Sequence, residues 1–236
     1  MKLLLYNLYD IKLLFSHKKV NPCYAYDKSN IQKGVYGVSK EFWNKSFSKE
    51  TYVYGKQANT FVVEMTEQLK EARYVGCFAE GEGRNAVHLA KQGHQVTVFD
   101  QSDEGLTKAE QLAEEEGVHI DTVQADLTKK EMKAAQFDAA VMVFGHVPKE
   151  SQSFLIEQMI RSVKPGGVVL FEVYSEDQLA YGTGGPKDKR MLYSPEDVLH
   201  WISEYECLHF YYGEADRTEG ERHTGVGHVI QAFIRV

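Results

Sequence analysis

Short apolar runs mark this chain at 74–78, 95–99, 119–124, 137–144 and 168–174, each about the length of a buried strand. Between them apolar residues recur every three or four positions, the spacing of a helix with one face inward. Leu106, Ala109, Leu112 and Ala113 trace such a face over 103–116, and Phe61, Val62, Met65 and Leu69 trace another over about 58–72. Helices are also expected at 41–47, 86–92 and 150–163. Gly93 and Gly117 stand where two of these must stop, and Lys164-Pro165-Gly166-Gly167 turns the chain into the run at 168–174. There the rhythm changes. A long loop over 175–193 leads to a helix capped by Ser194 with Pro195 at its first position. Two more strands, about 207–214 and 225–236, are joined by a hairpin-like connection over 213–223. Strands alternating with helices predict an α/β fold with a mainly parallel sheet. The closing hairpin must place one antiparallel strand in it.

The first strand runs into Ala79-Glu80-Gly81-Glu82-Gly83-Arg84-Asn85, and a helical pattern follows at once. A glycine turn between a strand and a helix start lets a ligand approach the main chain, beside N–H groups the helix leaves unpaired. In a doubly wound sheet this first turn is the usual nucleotide-type cofactor site. Gly81-x-Gly83-x-x-Ala86 also fits a dinucleotide fingerprint. Glu80 and Glu82 argue against that reading, because they place two carboxylates where a pyrophosphate would sit. A ligand with one carboxylate, an ammonium and a sulfonium tolerates them better, and S-adenosylmethionine (SAM) is such a ligand. A plain turn with no ligand is the bland alternative. The cofactor reading requires an open cavity between these glycines and Asp100.

Composition narrows the partners. A hydrophobic content of 43% over 236 residues suits one α/β domain, or one with an appendage. The formal net charge of −7, without a Lys/Arg stripe, disfavours nucleic acid. No apolar run reaches the roughly 18 residues of a membrane span, and 1–15 lacks the small-residue cleavage site of a signal peptide. Cys23, Cys77 and Cys207 are far apart and form no CxxC, so neither a disulfide framework nor a zinc knuckle is suggested, and a cytoplasmic setting is expected. Residues 1–37 read differently from 38–236. Val38 can be a GTG start codon read internally, and Lys33-Gly34-Val35 can be encoded by a ribosome-binding-site-like sequence. We expect 1–37 to be an over-extended reading frame; the alternative is an N-terminal arm over the cofactor.

Four motifs in order resemble those of class I SAM-dependent methyltransferases: Glu80-Gly81-Glu82-Gly83, Asp100, Ala125-Asp126-Leu127 and Lys164-Pro165-Gly166-Gly167. The resemblance implies a Rossmann-like, doubly wound sheet of seven strands with one antiparallel strand, SAM as cofactor, and methyl transfer as activity. It implies that Asp100 holds the ribose hydroxyls and that Asp126 lies on the adenine side. A narrower resemblance covers about 42–236. Tyr52-Val53-Tyr54-Gly55, Gly81-Glu82-Gly83-Arg84-Asn85, Tyr181-Gly182-Thr183-Gly184-Gly185-Pro186 and Arg222-His223-Thr224-Gly225 are similar to tellurite-resistance-type and related small-molecule methyltransferases of bacteria. The first motif departs from the family's Asp-x-Gly-x-Gly-x-Gly: Cys77 replaces the Asp, which normally supports the loop, and Ala79 replaces the first Gly. Glu80 is expected to take the methionine ammonium.

The expected cofactor contacts are Ala79, Glu80, Gly81, Gly83, Arg84, Asn85, Asp100, Gln101, Ser102, Ala125, Asp126 and Phe144. Asp126 equally suits a helix cap. His146, just past the strand at 137–144, is the candidate catalytic residue, able to orient or deprotonate an acceptor; its dull reading is a loop histidine bonded to backbone. The 182–187 loop is expected as a lid with Tyr181 as an aromatic wall, and Arg222 and His223 as reaching the substrate mouth. His223 and His228, an odd number of residues apart on a strand, point to opposite faces, so a shared metal is not expected. The expected acceptor is a small molecule, such as a thiol or chalcogen, attacked in line without nucleic acid or membrane, by a monomer or homodimer. A hydroxyl or amine would need a base. The rivals are an NAD-dependent dehydrogenase and a SAM-binding module without catalysis.

Overall fold

The computed structural model describes residues 39–220 and 223–236, which lie in one packed unit spanning Gly37–Val236. The readings made for 1–37 and for Arg222 lie outside the described residues. Two helices precede the sheet, α1 (Lys40–Phe47) and α2 (Thr60–Leu69). Then β1 (Tyr74–Phe78), α3 (Arg84–Lys91), β2 (Gln95–Asp100), α4 (Asp103–Glu115) and β3 (Ile120–Gln124) alternate. They are followed by β4 (Phe137–Val143), α5 (Lys149–Ser162), β5 (Val163–Tyr174), α6 (Pro195–Trp201), β6 (Glu206–Glu219) and β7 (His223–Arg235). The sheet has seven strands in the order β3-β2-β1-β4-β5-β7-β6. All pairs are parallel except those of β7, which runs against both neighbours. This is the Rossmann-like, doubly wound arrangement expected, with its switch point between β1 and β4.

Period-two alternation sorts the side chains. Val75 and Cys77 face α2, α3 and α4, in a core with Phe61, Leu69, Leu89 and Leu112. Phe78 faces the other side, in a core with Leu155, Ile156, Met159 and Val198 from α5 and α6. The cap read from sequence at Ser194 is present, and three others join it. Ser39, Asn59, Ser102 and Ser194 each accept a main-chain N–H from the first turn of the helix they start.

Two boundaries differ from expectation. The ladder of β5 begins at Val163 instead of 168, because Val163 pairs with Phe137 before a bulge and Gly166 N donates to Val236 O at 2.6 Å. The segment read as a connection over 213–223 is mostly strand: β6 and β7 stay paired out to Glu219 and His223, well past the last pair with β5 at Tyr174–Val229. Its polar text looked like a loop because the partners that bury Arg217 and Glu219 lie far away in sequence. Glu172, fully buried on β5, accepts from Asn59 Nδ2 (2.9 Å), Arg217 Nε (3.0 Å) and Gln231 Nε2 (2.6 Å). Glu219 accepts from Asn59 Nδ2 (2.9 Å) and pairs with Arg84 Nη2 at 2.6 Å. Buried charges need such partners, and here they fasten the hairpin to the helix that follows the glycine turn.

Candidate active site

The turn after β1 has the backbone a ligand loop needs. Ala79, Gly81 and Gly83 all have positive φ, at 50°, 60° and 88°. A Cβ at Gly83 would lie 2.6 Å from Ala109 Cβ, so only glycine lets α3 and α4 approach this closely. Ala79 holds a left-handed conformation that costs about 1–2 kcal/mol for a residue with a Cβ. Across from it Phe144, at the end of β4, is also left-handed (φ 54°), and a Cβ at Gly145 would touch Ala79 Cβ at 3.2 Å. Two strained strand ends therefore meet at the switch point, as at sites where geometry serves function.

The acids of the turn face inward. Glu80 Oε1 accepts from Asn85 N (2.7 Å) and Ala86 N (2.9 Å), and Oε2 from Asn85 Nδ2 at 3.3 Å. It caps α3 from within the loop by accepting those two N–H groups. Burial raises its pKa, and these bonds oppose the rise. Glu82 accepts from Val53 N at 2.8 Å and pairs with Lys108. Arg84 is taken up by Glu219 and the Tyr54 carbonyl, and Asn85 by Asn59 N (2.9 Å) and Glu80. All four side chains bond within the loop and to the segments packed on it, which the sequence alone could not show.

Asp100 ends β2 beside the turn and is buried. It accepts from Gly81 N and Ser102 N, each at 2.8 Å. Burial raises its pKa, opposed by the N–H groups of Ser102 and Gly81. Ser102 caps α4 and donates to Asn44 Oδ1 at 2.6 Å. Beyond Asp100 a cleft of about 500 Å³ opens, lined by Gln101, Ala125 and Asp126 together with Ser39 and Lys40 of α1 and Pro148. Burial would raise the pKa of Asp126, but bonds from Thr128 and Lys129 outweigh it and hold the carboxyl low. The open cavity expected between the glycines and Asp100 is filled. The Phe47 ring of α1 lies on the turn, 3.0 Å from where Cβ atoms at Gly81 and at Gly105 would be.

His146 is a brace in this arrangement. Its Nδ1 bonds the Met191 carbonyl at 2.7 Å, which makes Nδ1 the protonated nitrogen, and Nε2 accepts from Tyr174 N at 3.4 Å. Burial pushes its pKa down to about 4, against the Met191 carbonyl. With both nitrogens on backbone it has no hand free for an acceptor. The ring of Tyr174 stacks on Phe144 at 4.3 Å, and His223 meets Phe144 edge-on at 4.6 Å and leans on Tyr54 at 4.5 Å. His228 points to the other face, onto Ser175 Oγ (2.7 Å) and Tyr212. Tyr181 is on that face too, bonded to Glu214 at 2.8 Å, so it is no wall for the Phe144 group; the 182–187 loop touches that group through Gly185, packed on Tyr174. Sequence reasoning gave no site role to Tyr54, Tyr174 or Phe47. Their only signal was aromatic character at element ends.

A seven-stranded sheet with one reversed strand, a glycine turn after β1 and an acid at the end of β2 defines the class I methyltransferase fold. Residues 75–167 match the family model described as a methyltransferase domain. The ubiquinone biosynthesis O-methyltransferase of Escherichia coli (strain HS) is 30% identical over 151 residues, covering 57% of this chain and 61% of that protein. The protein of the same description from Klebsiella pneumoniae (strain 342) is 28% identical over the same length and 60% covered. The chain thus spans about three fifths of the curated relatives it matches. Among solved structures, TehB from Haemophilus influenzae superposes with a TM-score of 0.62 at 16% identity, covering 83% of this chain and 66% of that one. The magnesium protoporphyrin IX methyltransferase of Synechocystis PCC 6803, with bound S-adenosylhomocysteine (SAH), gives 0.61 at 15% identity, covering 84% and 98%. At these identities the structural likeness is one of fold.

Proposed function

We propose that this chain transfers a methyl group from SAM to a small-molecule acceptor. The observation that carries the reading is the matched domain with its own Asp100 set beside the left-handed glycine turn at the β1/β4 switch point. The residues fit the cofactor in part as they stand: Gln101, Ala125 and Asp126 line a cleft wide enough for an adenosyl group, and Asp100 adjoins it. Its carboxylate would take the ribose hydroxyls. Ala79, Gly81 and Gly83 would offer backbone to the methionine end, near Phe144. When bound, SAM supplies an activated methyl on a positively charged sulfur that leaves as a neutral thioether. The protein's part is alignment of the acceptor, worth up to about 7–11 kcal/mol.

A braced, neutral His146 favours acceptors that need no base, such as a thiolate or another soft chalcogen. One observation favours a second reading: the curated relatives are O-methyltransferases, and a hydroxyl acceptor would need a proton acceptor other than His146. The acidic charge argues for a partner other than nucleic acid. No helix among the described residues is long and apolar enough to cross a membrane. A cytoplasmic monomer or homodimer remains our reading. Calorimetry with SAM, SAH and NAD tests the proposal. Micromolar binding of the two adenosyl-sulfur compounds and none of NAD is expected; binding of NAD alone would point to the dehydrogenase and end it.

A further inference from the structure

The proposed cofactor site and the folded chain conflict at one place, the helix lying over the glycine turn. We propose that α1 is a gate displaced by the cofactor, with Phe47 holding the place the ligand takes. The inference rests on the proposed function and adds to it a step that the fold imposes.

Phe47 is 3% exposed and presses on both Gly81 and Gly105. From it a chain of rings runs across the switch point. Trp43 stacks on Phe47 at 5.4 Å, and Phe47 meets Tyr54 at 6.4 Å. Tyr54 then leans on His223, His223 on Phe144 and Phe144 on Tyr174, each at 4.3–4.6 Å. With this chain closed, Asp100 is buried and the open cleft stops at Gln101 and Asp126. A ligand reaching from the adenine side to Phe144 has to pass under α1.

The fastenings of α1 divide into weak and strong. The Lys40–Asp103 pair (2.8 Å) is about half exposed, and Asn44 holds Ser102 Oγ and Asp103 at 2.6 and 3.1 Å. The two contacts with Asp103 are exposed and exchange readily for water, whereas the Ser102 bond is partly buried. Behind the helix the chain is anchored from within. Lys108 Nζ holds the carbonyls of Lys49 (3.0 Å) and Thr51 (2.7 Å), and Glu82 holds Val53 N. Beyond those anchors a Cβ at Gly220 would run into the backbone of 53–55, 2.5 Å from Val53 O, so that segment is wedged against the hairpin tip. The structure therefore divides at Ser48: α1 can swing while 49–55 stays. The closed state competes with the ligand, and measured affinity is reduced by the fraction of molecules that are open.

The test is stopped-flow binding of SAH to a Trp201→Phe protein, in which Trp43 is the one remaining tryptophan of the two in the chain. We expect a saturable change in Trp43 emission as its stack with Phe47 opens. We expect Phe47→Ala to raise the association rate by about tenfold or more and to tighten binding. A residue that only packs the site would do the reverse, or nothing, when truncated. A Lys40→Ala/Asn44→Ala double variant loosens α1 from its exposed side and should shift the rate in the same direction; it decides the matter if Phe47→Ala fails to fold. SAH binding with silent Trp43 emission and unaltered or slower association in the variants overturns the gate and leaves the methyltransferase reading standing. No SAH binding by the folded wild type or the variants overturns both.

Discussion

Asp100→Asn separates the two parts this acid is given. The carboxylate accepts Gly81 N and Ser102 N, each at 2.8 Å, in a buried setting. Asparagine keeps the shape but has one acceptor oxygen, so one of the two N–H groups is left facing an NH₂. A buried hydrogen bond to a charged group contributes about 1.5–3 kcal/mol, and a stranded donor adds to its loss. The expected destabilisation is about 2–4 kcal/mol, which for a domain of this size lowers the melting temperature by roughly 5–15 °C. The ribose hydroxyls would also lose a charged acceptor, weakening SAH binding by about 1–3 kcal/mol, or roughly 5- to 150-fold. Thermal circular dichroism reads the first effect, and calorimetry below the transition reads the second. Asp126→Asn is the control. Asp126 is exposed and bonds only its neighbours Thr128 and Lys129, so the melting temperature should hardly move. If Asp100→Asn lowers stability with SAH affinity unchanged, Asp100 is a strut of the turn and leaves the ligand set. If it leaves stability unchanged, the bonding described for Gly81 and Ser102 is wrong.

Two further outcomes follow from the same geometry. Glu80→Ala strands Asn85 N and Ala86 N at the start of α3, so denaturant titration should show a loss of about 2–4 kcal/mol; unchanged stability with weaker SAH binding would return Glu80 to the ligand. His146 has a folded pKa of about 4 against an ordinary 6.5, so between those values the unfolded chain takes up a proton that the folded chain refuses. Its contribution is complete above about pH 6.5 and is lost as pH falls toward 4, about 3 kcal/mol in all, and His146→Gln should flatten that part of the stability–pH curve; a catalytic base would instead shift the pH–rate profile.

The fold was legible wherever a signal was local. The lengths of β1 to β4, the cap at Ser194 and the helix-ending glycines depend on a few neighbouring residues, and those boundaries fall within a residue or two. Long-range partners were not legible. Nothing near Arg217 or Glu219 shows that Glu172 and Arg84 will bury them, so their segment read as loop. The same blindness affected the site. Residue types at 80, 82, 84 and 85 marked the turn, but whether a carboxylate faces a ligand or a helix start depends on rotamers set by residues such as Lys108 and Asn59. His146 was a candidate base by position, and only the Met191 carbonyl, 45 residues on, shows why it is not free.

The departures from the family's first motif compensate one another. Where the family has a loop-supporting Asp, this chain has Cys77, whose side chain is buried among apolar residues of the α2–α3 side and whose thiol pKa burial drives up. A neutral thiol there supports no N–H groups. The support comes from Glu80, three residues later, which reaches the N–H groups of Asn85 and Ala86. Glu80 can do so only if the turn keeps its glycine-like path, and Ala79 keeps it by accepting a left-handed φ of 50°. That strain, about 1–2 kcal/mol, is smaller than the cost of leaving two buried helix-start N–H groups without acceptors. The pair therefore preserves the backbone of the motif while changing its letters. On this reasoning Ala79→Gly should stabilise the chain by relieving φ, whereas Cys77→Asp in the presence of Glu80 should destabilise it, because a second buried carboxylate would arrive at a helix start already capped. Denaturant midpoints of the two variants moving in the same direction would show that the compensation is not there.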